Sequence, residues 1–241
     1  MFILLNFALF ATLTVAKIPP DFQICGLRNP QLDDCIKSSV EAVIQRLKNG
    51  LPEINVPPLE PLHIDHMKLV DLPTLQASAN DVKLYGLSNV KINKLNFDRM
   101  KQQISLDLTF KEVILDADYN VNARILFPIA GVGPINILAT DVLSTAVLNY
   151  KIVQHKGKPY MFMREMNLKL SIKDYTSNFT PKEGPDSTLA TAINAALQNS
   201  REEIIESATP HLEKKITEVM LTSANKICKS FTYDELFPDR E

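Results

Sequence analysis

Four histidines are the side chains in this sequence best suited to binding a metal or moving a proton, and two of them lie close together. His63 and His66 flank Asp65 in the segment His63-Ile64-Asp65-His66. Because side chains alternate between the two faces of a strand, His63 and Asp65 would share one face while His66 points to the other. That spacing suits chelation poorly. The sequence therefore predicts no metal site here and assigns these side chains to surface or pocket polar contacts.

Common sequence motifs of enzymes are missing. The chain has seven glycines, and the segment nearest to a phosphate-binding loop, Gly131 to Pro134, has a proline where such a loop needs a backbone donor. It contains neither a Gly-x-Ser-x-Gly nucleophile motif nor a His-Glu-x-x-His motif. Acidic side chains are plentiful but alternate with apolar ones, as on a solvated face, and no catalytic pair stands out. We therefore expect a binding protein without a cofactor rather than an enzyme.

Three cysteines, Cys25, Cys35 and Cys228, are too few ligands for a zinc-finger site. Cys25 and Cys35 lie close in sequence, and Pro30 between them allows a turn, so a disulfide between the two is predicted. Closing this short loop would stabilise the fold by about 2–3 kcal/mol. Cys228 is then left over, either as a small buried residue near the end of the last helix or as one half of an intermolecular bridge.

The first 16 residues carry no charge and are nearly all apolar, but the run is short for a membrane span. Thr14 and Ala16 place small residues where a signal peptidase requires them, so a secretory signal with cleavage after Ala16 is predicted. An anchor helix is the alternative. No second stretch is long enough to span a bilayer, so residues 17–241 should form one secreted, extracellular domain without stable membrane insertion. A glycosylation sequon at Asn178 agrees with secretion.

The balance of charges excludes one class of partner and argues against another. The formal net charge is −2, and the two signs are interspersed along the chain. Proteins that bind nucleic acids need clustered Lys and Arg, so no nucleic-acid partner is expected. The same balance argues against an anionic membrane surface as the main partner.

The N-terminal part of the domain predicts a short helix followed by a long run of strands. Asp34 to Leu47 has apolar residues every three or four positions, and Asp33 or Asp34 could cap the helix. Leu62 to Lys173 then shows the alternation of antiparallel strands with one wet face. The clearest strand alternates from Ile104 to Phe110 and continues through Val113 to Phe127, far beyond the usual length of about 5 or 6 residues. A strand this long needs a long partner to cover its apolar face.

That partner is predicted near the C-terminus, where apolar residues from Ser187 to Lys229 recur in steps of three and four. The pattern predicts one long amphipathic helix. Pro210 should kink or interrupt it, and two helices broken at that proline are the alternative. The result is a single elongated α+β domain in which the sheet curls around the helix. Such a core is long enough to hold an apolar ligand, which indicates a carrier.

Several segments together resemble the takeout and juvenile hormone-binding protein family of insects. They are, in order, the Cys25 and Cys35 pair, LEPLHI at 59–64, LYGLSNVKI at 84–92, GVGPINI at 131–137 and FTYDELFPD at 231–239. Each segment alone is weak evidence. Their order and the N-terminal signal make the resemblance strong, and it covers essentially the whole mature chain.

The resemblance implies a fold of the tubular lipid-binding kind, in which a highly curved antiparallel sheet wraps a long C-terminal helix, with a short helix at the N-terminus. It also implies an internal tunnel for a small hydrophobic ligand, such as a terpenoid, a juvenile hormone-like molecule, a fatty acid or a long isoprenoid. Hormone-binding members typically have a second disulfide that reaches the C-terminal helix. Cys228 has no partner for such a bridge, which favours the takeout-like branch.

The predicted tunnel wall combines apolar residues of the long strand with apolar residues of the C-terminal helix. These residues could equally pack against one another and leave no tunnel. The polar end of a ligand would need a hydrogen-bonding partner, and Tyr119, Tyr160 and Asn136 are the candidates. The strand contributes Leu106, Leu108, Phe110, Leu115, Tyr119, Val121, Ile125 and Phe127, and the helix contributes Ile193, Leu197, Ile204, Leu212 and Ile216.

Two other functions stay open at this point. An extracellular signalling protein would act through a receptor, in feeding, circadian or chemosensory physiology, and would need a surface for a specific protein partner. An enzyme, such as an esterase acting on a bound lipid, would depend on one particular Ser or His. The carrier itself is expected to be a monomer.

Overall fold

The computed structural model describes residues 18, 22–124, 128–179, 191, 194–195 and 198–241. Within these residues, seven strands and three helices with defined bounds form one α+β fold, and residues 191, 194–195 and 198–199 are also helical. Two short 3-10 helices lie at Pro52–Ile54 and Leu87–Asn89. The helices are α1 Leu32–Leu47, α2 Arg201–Ser230 and α3 Tyr233–Leu236. The strands are β1 Leu62–Leu72, β2 Leu75–Tyr85, β3 Lys91–Asp98, β4 Gln103–Arg124, β5 Pro128–His155, β6 Lys158–Ser171 and β7 Asp174–Phe179.

The strands form one antiparallel sheet curled into a half-barrel, as predicted. Its spine is the pairing of β4 with β5, which runs without a register shift from Gln103 opposite Asn149 to Arg124 opposite Pro128. The main order is β1-β2-β4-β5-β6. β3 pairs with the first part of β4, and β7 pairs with β5 beyond the end of β6. The sheet therefore has two overlapping halves, and both halves include parts of β4 and β5.

A change in the phase of alternation separates the two halves of the sheet. On β4 the inward residues are Leu108 and Phe110 before the change and Val113 and Leu115 after it. The sequence interpretation treated this strand as one continuous alternation and missed the shift at Lys111 and Glu112. The register of β4 with β5 stays continuous across this change, whereas the pairing of β2 with β4 shifts between Asn80 and Lys83. A bulge at that shift bends the strand and increases its twist, which helps to curl the sheet.

The neighbouring strands show the same change at matching positions. On β5, buried Ala139 and Val142 are three residues apart, and Asp141 between them has φ of 50°. On β2, buried Ala79 and Val82 flank Asp81, which also has φ of 50°. Aspartate tolerates this left-handed conformation better than β-branched residues do. The bend is therefore a property of the whole sheet rather than of one strand.

Each half of the sheet has its own apolar core. The first core joins β1, β2, the second part of β4 and part of α2, with Met67, Ala79 and Val82 fully buried. The second core joins α1, β3, the first part of β4, β6 and the C-terminal part of α2, around Ile92, Phe97 and Tyr150. α2 contributes to both cores and so spans the bend.

α1 begins at Leu32, two residues before the predicted start, and neither predicted aspartate caps it. Its N-cap residue is Gln31, which makes no side-chain capping bond. Asp33 instead accepts hydrogen bonds from the backbone N–H of Phe97 at 2.9 Å and from Nδ2 of Asn96 at 3.2 Å. The carboxylate thus ties the start of the helix to β3, a contact between distant residues that local capping rules do not include.

The C-terminal helix is interrupted at a different place from the predicted one. α2 continues through Pro210, while Ser200 forms a turn between helical residues 198–199 and the start of α2 at Arg201. Pro210 therefore does not interrupt the helix, and the alternative of two helices broken at this proline is wrong. Pro210 is exposed, and the neighbouring Thr209 hydroxyl donates to the Ile205 carbonyl at 2.7 Å. Among the helices described, none is both long and apolar enough to cross a membrane.

The C-terminal segment folds back onto the N-terminal disulfide loop. The Arg28 guanidinium donates to both carboxylate oxygens of Asp239 at 2.8 and 2.6 Å, and the backbone N–H of Leu27 donates to the Pro238 carbonyl at 2.9 Å. Phe237 stacks on Phe97 with ring centroids 5.0 Å apart. The FTYDELFPD segment thus completes the second core.

Candidate functional site

The concave face of the sheet is closed on one side by hydrogen bonds from α2 to the edge strand β6. Asn225 accepts a bond from the backbone N–H of Met163 at 2.8 Å and donates to the carbonyl of the same residue at 2.9 Å. Glu213 accepts from the backbone N–H of Leu170 at 2.9 Å. These side chains take the place of a further strand, because they satisfy backbone groups that an edge strand leaves open.

The other edge of the sheet, β1, also lies against α2. The Ser207 hydroxyl accepts a hydrogen bond from the backbone N–H of Asp71 at 3.3 Å. β1 and β6 are the two ends of the main strand order, and α2 packs on both. The helix therefore bridges the open side of the half-barrel, and the middle strands face it across the interior.

Apolar side chains on this interior face keep part of their surface accessible although they belong to the two cores. On the sheet they include Leu108, Phe110 and Val113, and on α2 they include Ile216 and Leu221. A tightly packed core would bury such residues, because protein interiors are close-packed. Partly accessible apolar side chains therefore occur both on the middle strands and on α2, among the residues that pack against the cores.

The predicted wall residues fall into three groups that share this concave face. Phe110, Leu115, Ile204, Leu212 and Ile216 lie in or against the first core, with Leu115 and Ile204 buried. Leu106 and Leu108 pack against the second core, and Val121 packs against a small cluster of Tyr119 and Ile135. Ile125, Phe127, Ile193 and Leu197 lie outside the described residues.

The three predicted polar anchors lie in different surroundings. Tyr119 is buried beside Gly131, and burial raises the pKa of its hydroxyl. Tyr160 is half-buried on β6, edge-on to His155. Asn136 is exposed on the outer face and donates to Asp116 at 2.6 Å. Asn136 is therefore not available to a ligand on the concave face.

Ser144 is a polar residue of the concave face that the sequence interpretation did not select. Its side chain is 4% exposed, and its hydroxyl has no hydrogen-bond partner among the described residues. It lies on β5 between Leu108 of β4 and Leu170 of β6. The alternation of Val142, Ser144 and Ala146 along β5 was the signal that could have placed it on the inner face.

The cysteines adopt the predicted arrangement. Cys25 and Cys35 form a disulfide with their Cα atoms 5.8 Å apart. Cys228 is free and buried in the second core with both of them, and burial raises the pKa of its thiol to about 12. The interpretation of Cys228 as a small buried residue near the end of the last helix is confirmed.

The histidine cluster is engaged by strand neighbours. His63 Nε2 lies 2.6 Å from Asp81 Oδ1, and His66 Nδ1 lies 2.8 Å from Asn80 Oδ1. Within the described part of the chain, no three His, Cys, Asp or Glu side chains converge as metal ligands do. Asn178 is exposed on β7, and the Thr180 of its sequon lies outside the described residues.

The described residues thus form a curled antiparallel sheet bridged by a long helix, with partly accessible apolar side chains on the residues that pack against the cores. The chain belongs to the haemolymph juvenile hormone binding protein (JHBP) family, whose model matches residues 3–238. The family is one of binding proteins, in agreement with the resemblance found in the sequence.

Two relatives cover most of the chain. A protein of Schistocerca gregaria named "Putative beta-carotene-binding protein" is 25% identical over 235 residues, which is 90% of this chain and 88% of the relative. The "Circadian clock-controlled protein daywake" of Drosophila melanogaster is 23% identical over 236 residues, 91% of this chain and 88% of the relative.

A solved structure shares the fold. The crystal structure of Epiphyas postvittana Takeout 1 has a TM-score of 0.79 to this chain at 19% sequence identity, and the alignment covers 90% of this chain and 99% of the other. This likeness concerns the fold alone. It confirms the predicted architecture of a curved sheet around a C-terminal helix.

Proposed function

We propose that this protein is a secreted carrier that holds a small hydrophobic ligand between α2 and the concave face of the sheet. The observation that carries the proposal is the set of core-facing apolar side chains that remain partly accessible, on both the sheet and the helix. Accessible apolar surface enclosed by a fold costs free energy unless an apolar partner covers it. A ligand is that partner.

The driving force is burial of the ligand's chain. Each buried CH₂ group contributes about 0.8 kcal/mol, so a chain of a dozen or more carbons gains roughly 10 kcal/mol before the cost of immobilisation. This favours long apolar molecules, such as fatty acids, terpenoids or long isoprenoids. The name of the Schistocerca relative, which refers to a carotenoid, supports the last class.

Secretion is part of the proposal. The first 16 residues have the pattern of a secretory signal, the Cys25–Cys35 disulfide suits an oxidising compartment, and the family is named for haemolymph. We expect the carrier to be a monomer, with Asn178 available for glycosylation. Expression in insect cells with mass analysis of the medium would test cleavage after Ala16 and the use of Asn178.

Displacement of a fluorescent hydrophobic probe from the delipidated protein tests the proposal directly. Juvenile hormones, fatty acids and long isoprenoids would be compared as competitors. Displacement by several long chains would identify a general carrier, and displacement by juvenile hormone alone would identify a hormone carrier. Failure of the probe to enter would reject the carrier, and an extracellular signal acting through a receptor would then become the better hypothesis.

A further inference from the structure

A cleft of about 450 Å³ opens at one end of the second core, between the β3–β4 turn, β5 and α3. Its lining is mixed rather than apolar. The cleft is lined by Arg99, Met100, Gln102, Tyr150, Ile152 and Tyr233. A guanidinium, an amide and two phenols thus meet two apolar side chains in one place. Such a mixture suits a molecule with a polar head and an apolar body.

The charge of Arg99 is not cancelled by an ion pair within the described chain. Two carboxylates near it are paired with other cations, although besides the hydrogen bond from Arg28 the charge of Arg99 also helps to lower the pKa of Asp239. Asp98 accepts from the backbone N–H of Lys101 at 2.9 Å and pairs with its ammonium at 3.3 Å. Asp239 pairs with Arg28 at 2.6 Å. The guanidinium is hydrogen-bonded to the neutral Tyr233 hydroxyl and forms no ion pair within the described chain, so its charge is available to a ligand.

The two phenols add neutral hydrogen-bond donors. Burial raises the pKa of Tyr150 to about 12 and also raises the pKa of Tyr233, to which Arg99 is hydrogen-bonded. Both hydroxyls therefore keep their protons at neutral pH. The backbone N–H of Tyr150 donates to the Gln102 carbonyl at 2.9 Å, which fixes the turn beside the cleft. An ionised carboxylate only accepts hydrogen bonds, so this set of donors matches it.

The cleft lies at one end of a face of β5 that runs on towards the bend. Tyr150 shares its face of the strand with Leu148, Ala146 and Ser144, which lead from the cleft towards the bend. Six residues of strand span about 20 Å. On the opposite side, Leu221 of α2 packs against the same core and is only partly buried. An apolar chain attached to a head group in the cleft would lie against the partly buried Leu148 and Leu221, because Ala146 and Ser144 themselves are buried.

We propose that the cleft around Arg99 binds the carboxylate of a long-chain or isoprenoid acid whose apolar chain lies on the concave face. The inference rests on the proposed carrier function and names its ligand class. Arg99 and the two tyrosines recognise the head, while Met100, which is 95% exposed, stands at the entrance.

Competition by two molecules with the same chain tests this inference. Hexadecanoic acid and hexadecan-1-ol would each displace an uncharged polyene probe, diphenylhexatriene, from the wild type, Arg99→Gln and Lys94→Gln. Lys94 is the matched control, because it carries the same charge on the exposed face of β3 but does not line the cleft. Lys101 is less suitable, because its removal would release Asp98 beside Arg99. Arg99→Gln should weaken the acid about ten- to a hundredfold and leave the alcohol within about twofold, since a hydrogen bond to a charged group is lost. Lys94→Gln should leave both unchanged.

An unchanged ratio of acid to alcohol affinity in Arg99→Gln would overturn the inference, and so would an equal loss in both variants. The methyl resonance of Met100 gives an independent reading, because it should shift when the acid binds the wild type and stay in place in Arg99→Gln. Binding of the acid without a shift at Met100 would also reject the cleft. If neither the probe nor the acid binds, the carrier function fails with it, whereas probe binding with an unchanged ratio rejects the head-group site alone.

Discussion

Cys228 combines a reactive chemical group with surroundings that suppress its reactivity. It is 7% exposed in the second core, and burial raises the pKa of its thiol to about 12. The thiolate is the reactive form, so the native protein should resist thiol reagents at moderately alkaline pH. We expect one thiol per chain to react with Ellman's reagent in guanidinium chloride and almost none without it. Rapid labelling of the native protein would show that the C-terminal part of α2 opens readily.

Glu235 is expected to make the stability of the C-terminal FTYDELFPD segment depend on pH. It forms a capping box with Thr232 at the start of α3. The hydrogen bond from the backbone N–H of Thr232 lowers the pKa of the Glu235 carboxyl most, and the bond from the Thr232 hydroxyl lowers it further. A lowered folded pKa gives stability that is present above the unfolded value, about 4.3, and is lost as pH falls through the folded value. Glu235→Ala should therefore be less stable than the wild type at neutral pH, and the difference should shrink below about pH 4. Urea midpoints across this range would measure it, and a constant difference would contradict the cap.

Asn225 illustrates how a helix can be fastened to a sheet through one residue. Its side chain makes two hydrogen bonds to the backbone of Met163, at 2.8 and 2.9 Å. Asn225→Ala would leave both backbone groups without this partner, at a cost of about 1–3 kcal/mol. Thr222→Ala, on the exposed side of the same helix, is the control and should change stability by less than about 0.5 kcal/mol. Equal urea midpoints for the two variants would show that water replaces the amide at the edge strand.

Local patterns predicted the helices and strands well, but they did not predict where these elements bend or end, or how they contact one another. Alternation placed the inward residues of β4 correctly, because a strand repeats every two residues whatever it packs against. The bend at Lys111 was missed, because the two alternating runs were treated as one although the inward positions change from even to odd numbers there. Pro210 was expected to kink or interrupt the helix, but the helix continues through it and the turn lies at Ser200. The hydrogen bond from Leu170 to Glu213 spans 43 positions and that from Met163 to Asn225 spans 62, so local sequence rules could not predict either contact.

The candidate site was predicted in outline for the same reason. Periodicity identified Leu108 and Ile216 as inward residues, and equally Leu115 and Ile204. In the structure Leu115 and Ile204 are buried, while Leu108 and Ile216 keep accessible surface. Periodicity does not contain this difference, because it depends on packing between distant elements. Arg99 and Tyr233 were not selected, because they lie 134 positions apart and meet only when the C-terminal segment folds back.

At the scale of the whole molecule, the space between α2 and the sheet should govern which ligands fit. Ile216→Trp adds a large ring on the inner face and should weaken binding of long chains about tenfold or more, because it occupies the ligand's volume. Ile204, only 9% exposed, would be overpacked by the same change and is a poorer test. Leu143→Trp is the control, since Leu143 is 44% exposed on the outer face of β5. Probe titration of both variants measures the effect, and unchanged affinity in Ile216→Trp would remove that residue from the wall.

The bridge formed by α2 also bears on how copies of this protein behave towards one another. An exposed strand edge is a template for pairing with another chain, and it promotes aggregation. At Asp71 on one edge, and at Met163 and Leu170 on the other, backbone groups that could accept such a strand are bound by side chains of α2. A helix loosened from these edges would expose them together with the apolar interior. The contact between α2 and the sheet edges is thus expected to protect the protein against self-association as well as to cover its interior.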